Sequence, residues 1–488
     1  MNLAQHVLTA GQLCPDKLAL SVVGPTRAER WSYGRLIQAV QGTATGLRQA
    51  GLRPGDRLLM RLGNRPAFPV AFLGAIAAGI VPVPTSAQLT APEVTRLAAR
   101  LAPALVVAGS DVPVPDHPAP VVTEGELSSW ARLPPADFVT GDPDRLAYIV
   151  FTSGSSGQPR AVMHAHRAIL ARQMMFQGWY GLQPEDRLLH AGAFNWTFTL
   201  GTGLMDPWTL GATALIPSEA TAIEQIPLLA ARHGATIIAG APGVFRRLLR
   251  ADWRPIPTLR HALAAGERLD PALRAAWTAR TGTDLHEAMG ASEISTFVSG
   301  SPDRPAPVGT AGFAQPGRHV AVLGEDGHPV PEGHADALAV RRDDPGLFLG
   351  YLDDPAATTA CFRGDWFLTG DQAQADPSGA ITLLGRSDDI MNAGGFRVAP
   401  PEIEDLLSLH PQAGDVAVAE LPVGPGSSII AAFWTGPAAA ESLQSLAEAQ
   451  LARYKQPRAW IRLDALPRTP TGKINRRALR EAHRKDLS

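Results

Sequence analysis

The stretch that most constrains this chain is Tyr148-Ile149-Val150-Phe151-Thr152-Ser153-Gly154-Ser155-Ser156-Gly157-Gln158-Pro159-Arg160, an apolar, β-rich run that breaks into hydroxyl and glycine residues and ends on a cation. It reads as a strand feeding a polyphosphate-binding loop. Glycines let consecutive backbone N–H groups turn toward one concavity, hydroxyls add donors, and Arg160 supplies positive charge. A Ser/Gly cluster alone is commonly a linker, and this one lacks the Gly-Lys-Ser/Thr ending of the common nucleotide loop. The apolar strand before it and residues 162–170 after it argue against a linker.

Around the loop, helical and strand patterns alternate. Residues 31–52 have helical spacing and stop at Gly51 and Pro54-Gly55; residues 57–62, 80–83 and 104–108 read as strands, and 71–79 and 94–101 as helices. After the loop come helices at 167–180, 200–210 and 223–233 and strands at 186–191, 212–216 and 236–239. This rhythm predicts two doubly wound α/β halves. Residues 111–144, rich in proline and acid, read as a surface excursion. Residues 309–339, broken at Pro316-Gly317, Glu325-Asp326-Gly327 and Pro331-Glu332-Gly333, read as a small β-barrel or sandwich. From about Asp388 a compact α+β segment follows. The expected division is residues 1–387 and 388–488.

A chain of 488 residues is too long for one core, which agrees with several domains. A net charge of -2 excludes an electrostatic case for nucleic acid or another polyanion. Cys14 and Cys361 lie far apart without metal-ligand spacing, so the chain suits a reducing cytoplasm. Its first residues carry no basic cluster of the secretory type. The uncharged run 66–84 is framed by Pro66, Pro69, Pro82 and Pro84, and reads as a buried helix leading into a strand, not a membrane span.

Four later stretches complete a pattern: Met289-Gly290-Ala291-Ser292-Glu293; Trp366-Phe367-Leu368-Thr369-Gly370-Asp371; Gly385-Arg386-Ser387-Asp388-Asp389 through Gly395-Phe396-Arg397 to Glu402-Ile403-Glu404; and Pro467-Arg468-Thr469-Pro470-Thr471-Gly472-Lys473. With the loop, and in this order, they make the chain resemble the adenylate-forming (AMP-binding) family of acyl-CoA synthetases, adenylation domains and luciferases. Within it, the chain is most similar to medium-chain and benzoate-type CoA ligases.

The resemblance implies two half-reactions. A carboxylate attacks the α-phosphorus of ATP to give an acyl-adenylate and diphosphate, and the thiol of CoA then attacks the acyl carbon. Attack of one anion on another calls for magnesium, a phosphate loop and a lysine near the carboxylate. By resemblance, Thr152, Ser153, Gly154, Ser155, Ser156, Gly157 and Arg160 hold the phosphates. Glu293 binds magnesium and Ser292 meets the α-phosphate, where a lone Ser-Glu pair would otherwise be a helix cap. Asp371 takes both ribose hydroxyls. Gly266 and Glu267 pack on adenine, Glu287 accepts from its amino group, and Arg386 contacts ribose and phosphate. Lys473 stabilises charge in the first half-reaction. Asp388 is the hinge about which the C-terminal domain swings, and Gly394, Gly395 and Arg397 then line the thiol channel. Trp196 stands beside the substrate carboxylate. Gly290 stands where acetate-specific relatives carry tryptophan, which implies a medium-chain or aromatic acid.

Arg160, Ala161, Asn392, Ser292 and Met289 replace the family's usual lysine, glycine, lysine, threonine and aromatic residue. Arginine keeps the charge but presents a broader fork. Two alternatives stay open: an adenylation enzyme that loads a carrier protein, and a nucleotide-binding pseudoenzyme. A homodimer is left open. The basic tail from Arg453 reads as a solvated helix face or as a surface facing the phosphates of ATP or CoA.

Overall fold

In the computed structural model of the chain, residues 1–152, 159–386, 389, 391–393, 396–424, 427–451, 453–469 and 472–483 are described. The α/β class is as expected. The largest sheet among the described residues runs Phe313–Ala314, Ser295–Ser299, Asp284–Ala291, His261–Ala265, Ile237–Gly240, Arg187–His190, Thr213–Pro217, Leu18–Val23 and Ala28–Ser32 in spatial order. Its inner strands are parallel and covered on both faces, so Thr213–Pro217 is buried at every position. Alternate residues feed two cores: Leu189, Leu215 and Ile238 pack with Phe245 and Trp277. Leu188, Ile237, Ala239, Leu263 and Ala265 pack with Trp179 and Phe198 on the other face. A smaller parallel sheet orders Val81–Pro84, Arg57–Arg61, Leu105–Ala108 and Val121–Thr123.

Several elements differ from the sequence expectation. The excursion 111–144 holds the edge strand Val121–Thr123 and the helix Glu124–Trp130. Thr123 starts that helix: its hydroxyl accepts from the Glu126 N–H at 3.3 Å, and its own N–H donates to the Glu126 carboxylate at 2.8 Å. Both elements are too short for periodicity to reveal. The expected helix 167–180 divides into Ala168–Gln173 and the wide turn Phe176–Tyr180, and the helix 200–210 into the wide turn Thr199–Met205 and Asp206–Thr209. These π-type turns surround a buried cation. Arg172 donates to Asp206 at 2.7 and 2.6 Å and to Ser295 Oγ at 2.6 Å, and the Tyr180 hydroxyl donates to Asp206 at 2.7 Å. Gly201 is the one residue that fits beside it, since a Cβ there would lie 2.0 Å from Arg172 Cζ.

The expected small β-barrel takes the form of an antiparallel sheet, with Val320–Leu323, Ala335–Arg341, Trp366–Ala375 and Phe362–Arg363 in order and Ile381–Arg386 paired to Trp366–Ala375. In the C-terminal segment the strands Val416–Gly424, Ser427–Trp434 and Ala459–Arg462 pack with the helices Pro400–Ser408 and Ala440–Gln450 around Ile403, Leu407, Val418, Ala432 and Leu443. Much of the basic tail is paired within this segment: Arg476 with Glu404 at 2.7 Å, Arg468 with Asp415 at 2.7 Å, and Arg480 with Asp389. Arg476 is thus packed among carboxylates inside the segment and does not lie on a solvated helix face. No described helix is long and apolar enough to cross a membrane.

Candidate active site

Thr152 and Arg160 face each other as Cα partners at the mouth of an antiparallel hairpin, Leu146–Thr152 against Arg160–Ala165. The expectations on Ser153, Gly154, Ser155, Ser156 and Gly157 lie outside the described residues. Arg160 thus opens the return strand, and its guanidinium carbon stands 5.1 Å from the centre of the Tyr351 ring. A ring face holds a cation in place while leaving its charge available to an anion.

Tyr351 carries the arrangement onward. The short strand Gly350–Tyr351 pairs with Met163 and Val162 of the return strand, and the Tyr351 hydroxyl donates to Glu293 Oε1 at 2.8 Å. Burial, then the Glu293 carboxylate, raises the phenol pKa, so the group stays a donor. His164, on the same return strand, places Nε2 2.8 Å from the Ser292 carbonyl and stacks on Tyr148 with ring centres 4.8 Å apart. Burial lowers its pKa to about 4, so the neutral ring donates through Nε2. Hairpin, Ser292 and Glu293 are therefore one block. Tyr351 and His164 were not foreseen: an isolated tyrosine and a His-X-His on a strand carry no motif, and their roles arise from pairing.

The residues expected to face the nucleotide, Gly266 and Glu267, follow the end of His261–Ala265. Gly266 has φ +99°, and a Cβ there would meet Trp196 Cζ2 at 2.8 Å. Only glycine accepts both conditions. Across from it comes the loop before Lys473: a Cβ on Gly472 would lie 3.9 Å from Glu267 Oε1. Burial raises the Glu267 pKa, while Arg246, Arg468 and Lys473 pull it down. A second bridge between the two parts of the chain joins Arg268 to Asp405 at 2.6 Å. Asp371 is the Cα partner of Arg386 across two antiparallel strands. The side chains of Arg386 and Arg397, and Asp388, Gly394 and Gly395 entirely, lie outside the described residues.

Two further predicted residues have contacts within the protein that bear on their type. Glu287 is buried, with Oε1 accepting from the Leu269 N–H at 2.8 Å and Oε2 from Arg274 at 3.4 Å; burial pushes its pKa up to about 7. It lines a cavity of about 650 Å³ that includes Arg268, Arg274 and Leu383 but not Gly266, Asp371, Glu293 or Lys473. At Gly290, a Cβ would lie 2.5 Å from the Ser295 carbonyl oxygen, so close backbone approach by itself calls for glycine there.

An α/β chain with a large N-terminal domain and a smaller C-terminal one, in which a strand hairpin is tied through Tyr351 and His164 to a Ser-Glu pair, has the architecture of an adenylate-forming enzyme. Residues 9–352 match the AMP-binding enzyme family and residues 402–473 the AMP-binding enzyme C-terminal domain. The chain belongs to that family and is an AMP-forming CoA ligase that uses ATP and CoA. It is 30% identical to a mitochondrial acyl-coenzyme A synthetase of Homo sapiens, over 97% of this chain and 88% of the relative. It is also 30% identical to the 3-hydroxybenzoate–CoA/4-hydroxybenzoate–CoA ligase of Thauera aromatica, over 92% and 91%. Among solved structures, a benzoate CoA ligase from Burkholderia xenovorans superposes with a TM-score of 0.87 at 26% identity, covering 98% of this chain and 100% of the other.

Proposed function

We propose that the chain converts a medium-chain aliphatic or aromatic carboxylic acid to its CoA thioester through an acyl-adenylate, with residues 1–387 as the adenylation domain and 388–488 as a mobile C-terminal domain. The observation that carries this reading is the approach of the Gly472-Lys473 loop to Glu267, next to Gly266. In that pose Lys473 stabilises the charge that develops as the carboxylate oxygen attacks the α-phosphorus and diphosphate leaves. Arg160 and the loop take up the charge on the diphosphate, and Ser292 orients the α-phosphate.

A single carboxylate suits magnesium, which takes one or two carboxylates and completes its shell with phosphates and water. Among the described residues no group of three or more metal-ligating side chains stands together. Glu293, positioned by Tyr351, would hold the ion, which supplies charge neutralisation. Rotation at Asp388 then withdraws Lys473, and Gly394, Gly395 and Arg397 line the path of the thiol toward Trp196.

The test incubates purified protein with ATP, magnesium and acetate, butyrate, octanoate, benzoate or phenylacetate, with and without CoA, and identifies products by mass spectrometry. Acyl-CoA with AMP from octanoate or an aromatic acid supports the proposal. Acyl-adenylate without acyl-CoA assigns the acceptor role to a carrier protein. Turnover of acetate alone, or of none of the acids, overturns the substrate assignment.

A further inference from the structure

His190 ends the central strand Arg187–His190, beside Ala239 of the neighbouring strand. Its ring lies edge-on to Phe198, with centres 4.4 Å apart, and to Trp196, at 6.4 Å. Trp196 in turn reaches Gly266, so its indole spans from the nucleotide side to His190. Both nitrogens of His190 and the hydroxyl of Thr199 are buried without a hydrogen-bond partner among the described residues. The two groups converge: a Cβ on Gly192 would lie 2.2 Å from Thr199 Oγ1 and 3.1 Å from His190 Nδ1.

Buried polar atoms are almost always satisfied, and leaving them so is unfavourable by enough to be selected against. Two unpartnered groups that converge, behind two aromatic rings and at the end of strands where α/β proteins bind ligands, are what a ligand group completes. Its chemistry follows from theirs. Burial lowers the His190 pKa to about 3, so the ring is neutral, with one donor and one acceptor nitrogen; the threonine hydroxyl is both. The nearby Arg172 is already committed to Asp206, Ser295 and Thr202. A charged substituent would therefore be buried without a counter-ion, and an alkyl tail would leave all three atoms unsatisfied. A hydroxyl matches, and Trp196 and Phe198 favour a flat ring to carry it.

We infer that His190 and Thr199 form the far end of the acyl site and select a hydroxyl-bearing aromatic carboxylic acid. This rests on the ligase reading of the site.

The experiment titrates the full chain with non-hydrolysable acyl-sulfamoyl adenosines carrying benzoyl or 2-, 3- or 4-hydroxybenzoyl groups, by calorimetry. At least one hydroxybenzoyl analogue binds about tenfold or more tightly than benzoyl, and Thr199→Val and His190→Leu each remove most of that difference. Thr199→Val, nearly isosteric, carries the test should His190→Leu not fold. Equal affinity for benzoyl and every hydroxybenzoyl analogue overturns the inference and leaves the ligase reading intact. So does a preference that survives substitution. Failure of every benzoyl analogue to bind overturns the inference, and binding of an octanoyl analogue titrated alongside leaves the ligase reading of the site intact.

Discussion

The Tyr351 hydroxyl donates to Glu293 Oε1 at 2.8 Å while the Tyr351 ring carries the Arg160 guanidinium 5.1 Å from its centre. One side chain thus sets both the carboxylate assigned to magnesium and the cation assigned to phosphate. Tyr351→Phe keeps the ring and removes only the hydroxyl. A hydrogen bond to a charged group contributes about 1.5–3 kcal/mol. Adenylation is therefore expected to fall roughly ten- to hundredfold and to require more magnesium, read from ATP–diphosphate exchange across a magnesium series. An unchanged magnesium dependence would show that Glu293 does not need the tyrosine.

Lys473→Ala separates the half-reactions. Removing a charge-stabilising group lowers rates by about 10²–10³. That loss is expected in acyl-adenylate formation, while acyl-adenylate supplied with CoA is still converted to thioester. Equal loss in both assays would place Lys473 in a structural role.

The Arg268–Asp405 pair, at 2.6 Å, bridges the large N-terminal part to the helix Pro400–Ser408. Both side chains are partly exposed, so the pair contributes at most about 1 kcal/mol. Arg268→Ala is expected to slow adenylation a few-fold and to leave or raise the thioester step, because only the pose with Lys473 inward is weakened. Global stability, followed by thermal melting, should barely move.

Gly266→Ala adds a Cβ at φ +99° and 2.8 Å from Trp196. Left-handed strain of this kind is of order 1–3 kcal/mol. Displacement of the indole should raise the KM for ATP and for the acid together, and steady-state kinetics with each substrate varied will show whether both move.

Glu287 makes stability depend on pH. Burial pushes its folded pKa up to about 7 from 4.5, so the folded state retains a proton that the unfolded chain releases. Its contribution is fully present below pH 4.5 and is lost as pH rises through about 7. The difference amounts to about 3 kcal/mol at most. Glu287→Gln should flatten that slope, its melting temperature gaining on the parent between pH 5 and pH 8. Parallel pH profiles would mean that Arg274 already compensates the ionised carboxyl.

The family was legible in the sequence because Thr152, Ser292, Glu293, Asp371 and Lys473 stand in its motifs, and the parallel α/β rhythm follows from hydrophobic runs. What stayed hidden depends on pairing between distant segments. Tyr351 reaches Glu293 through its pairing with Val162, and His164 reaches Ser292 from a return strand that sequence reading ran on from the loop. The π-type turns are equally silent, since their width is set by Arg172 and Asp206 meeting in the core, while the letters of 167–180 and 200–210 keep ordinary helical spacing.

The strand Leu18–Val23 finds its parallel partner in Thr213–Pro217, far later in the chain. During synthesis at about 5–20 residues per second, the first strand leaves the ribosome roughly 10–40 s before that partner exists. Its apolar face must wait, paired only with the hairpin strand Ala28–Ser32. Long-range parallel pairing is slow to form and prone to aggregation in the interval. Yield on expression should thus respond to translation speed and chaperone supply, and slow growth at low temperature is the natural route to material for the assays above.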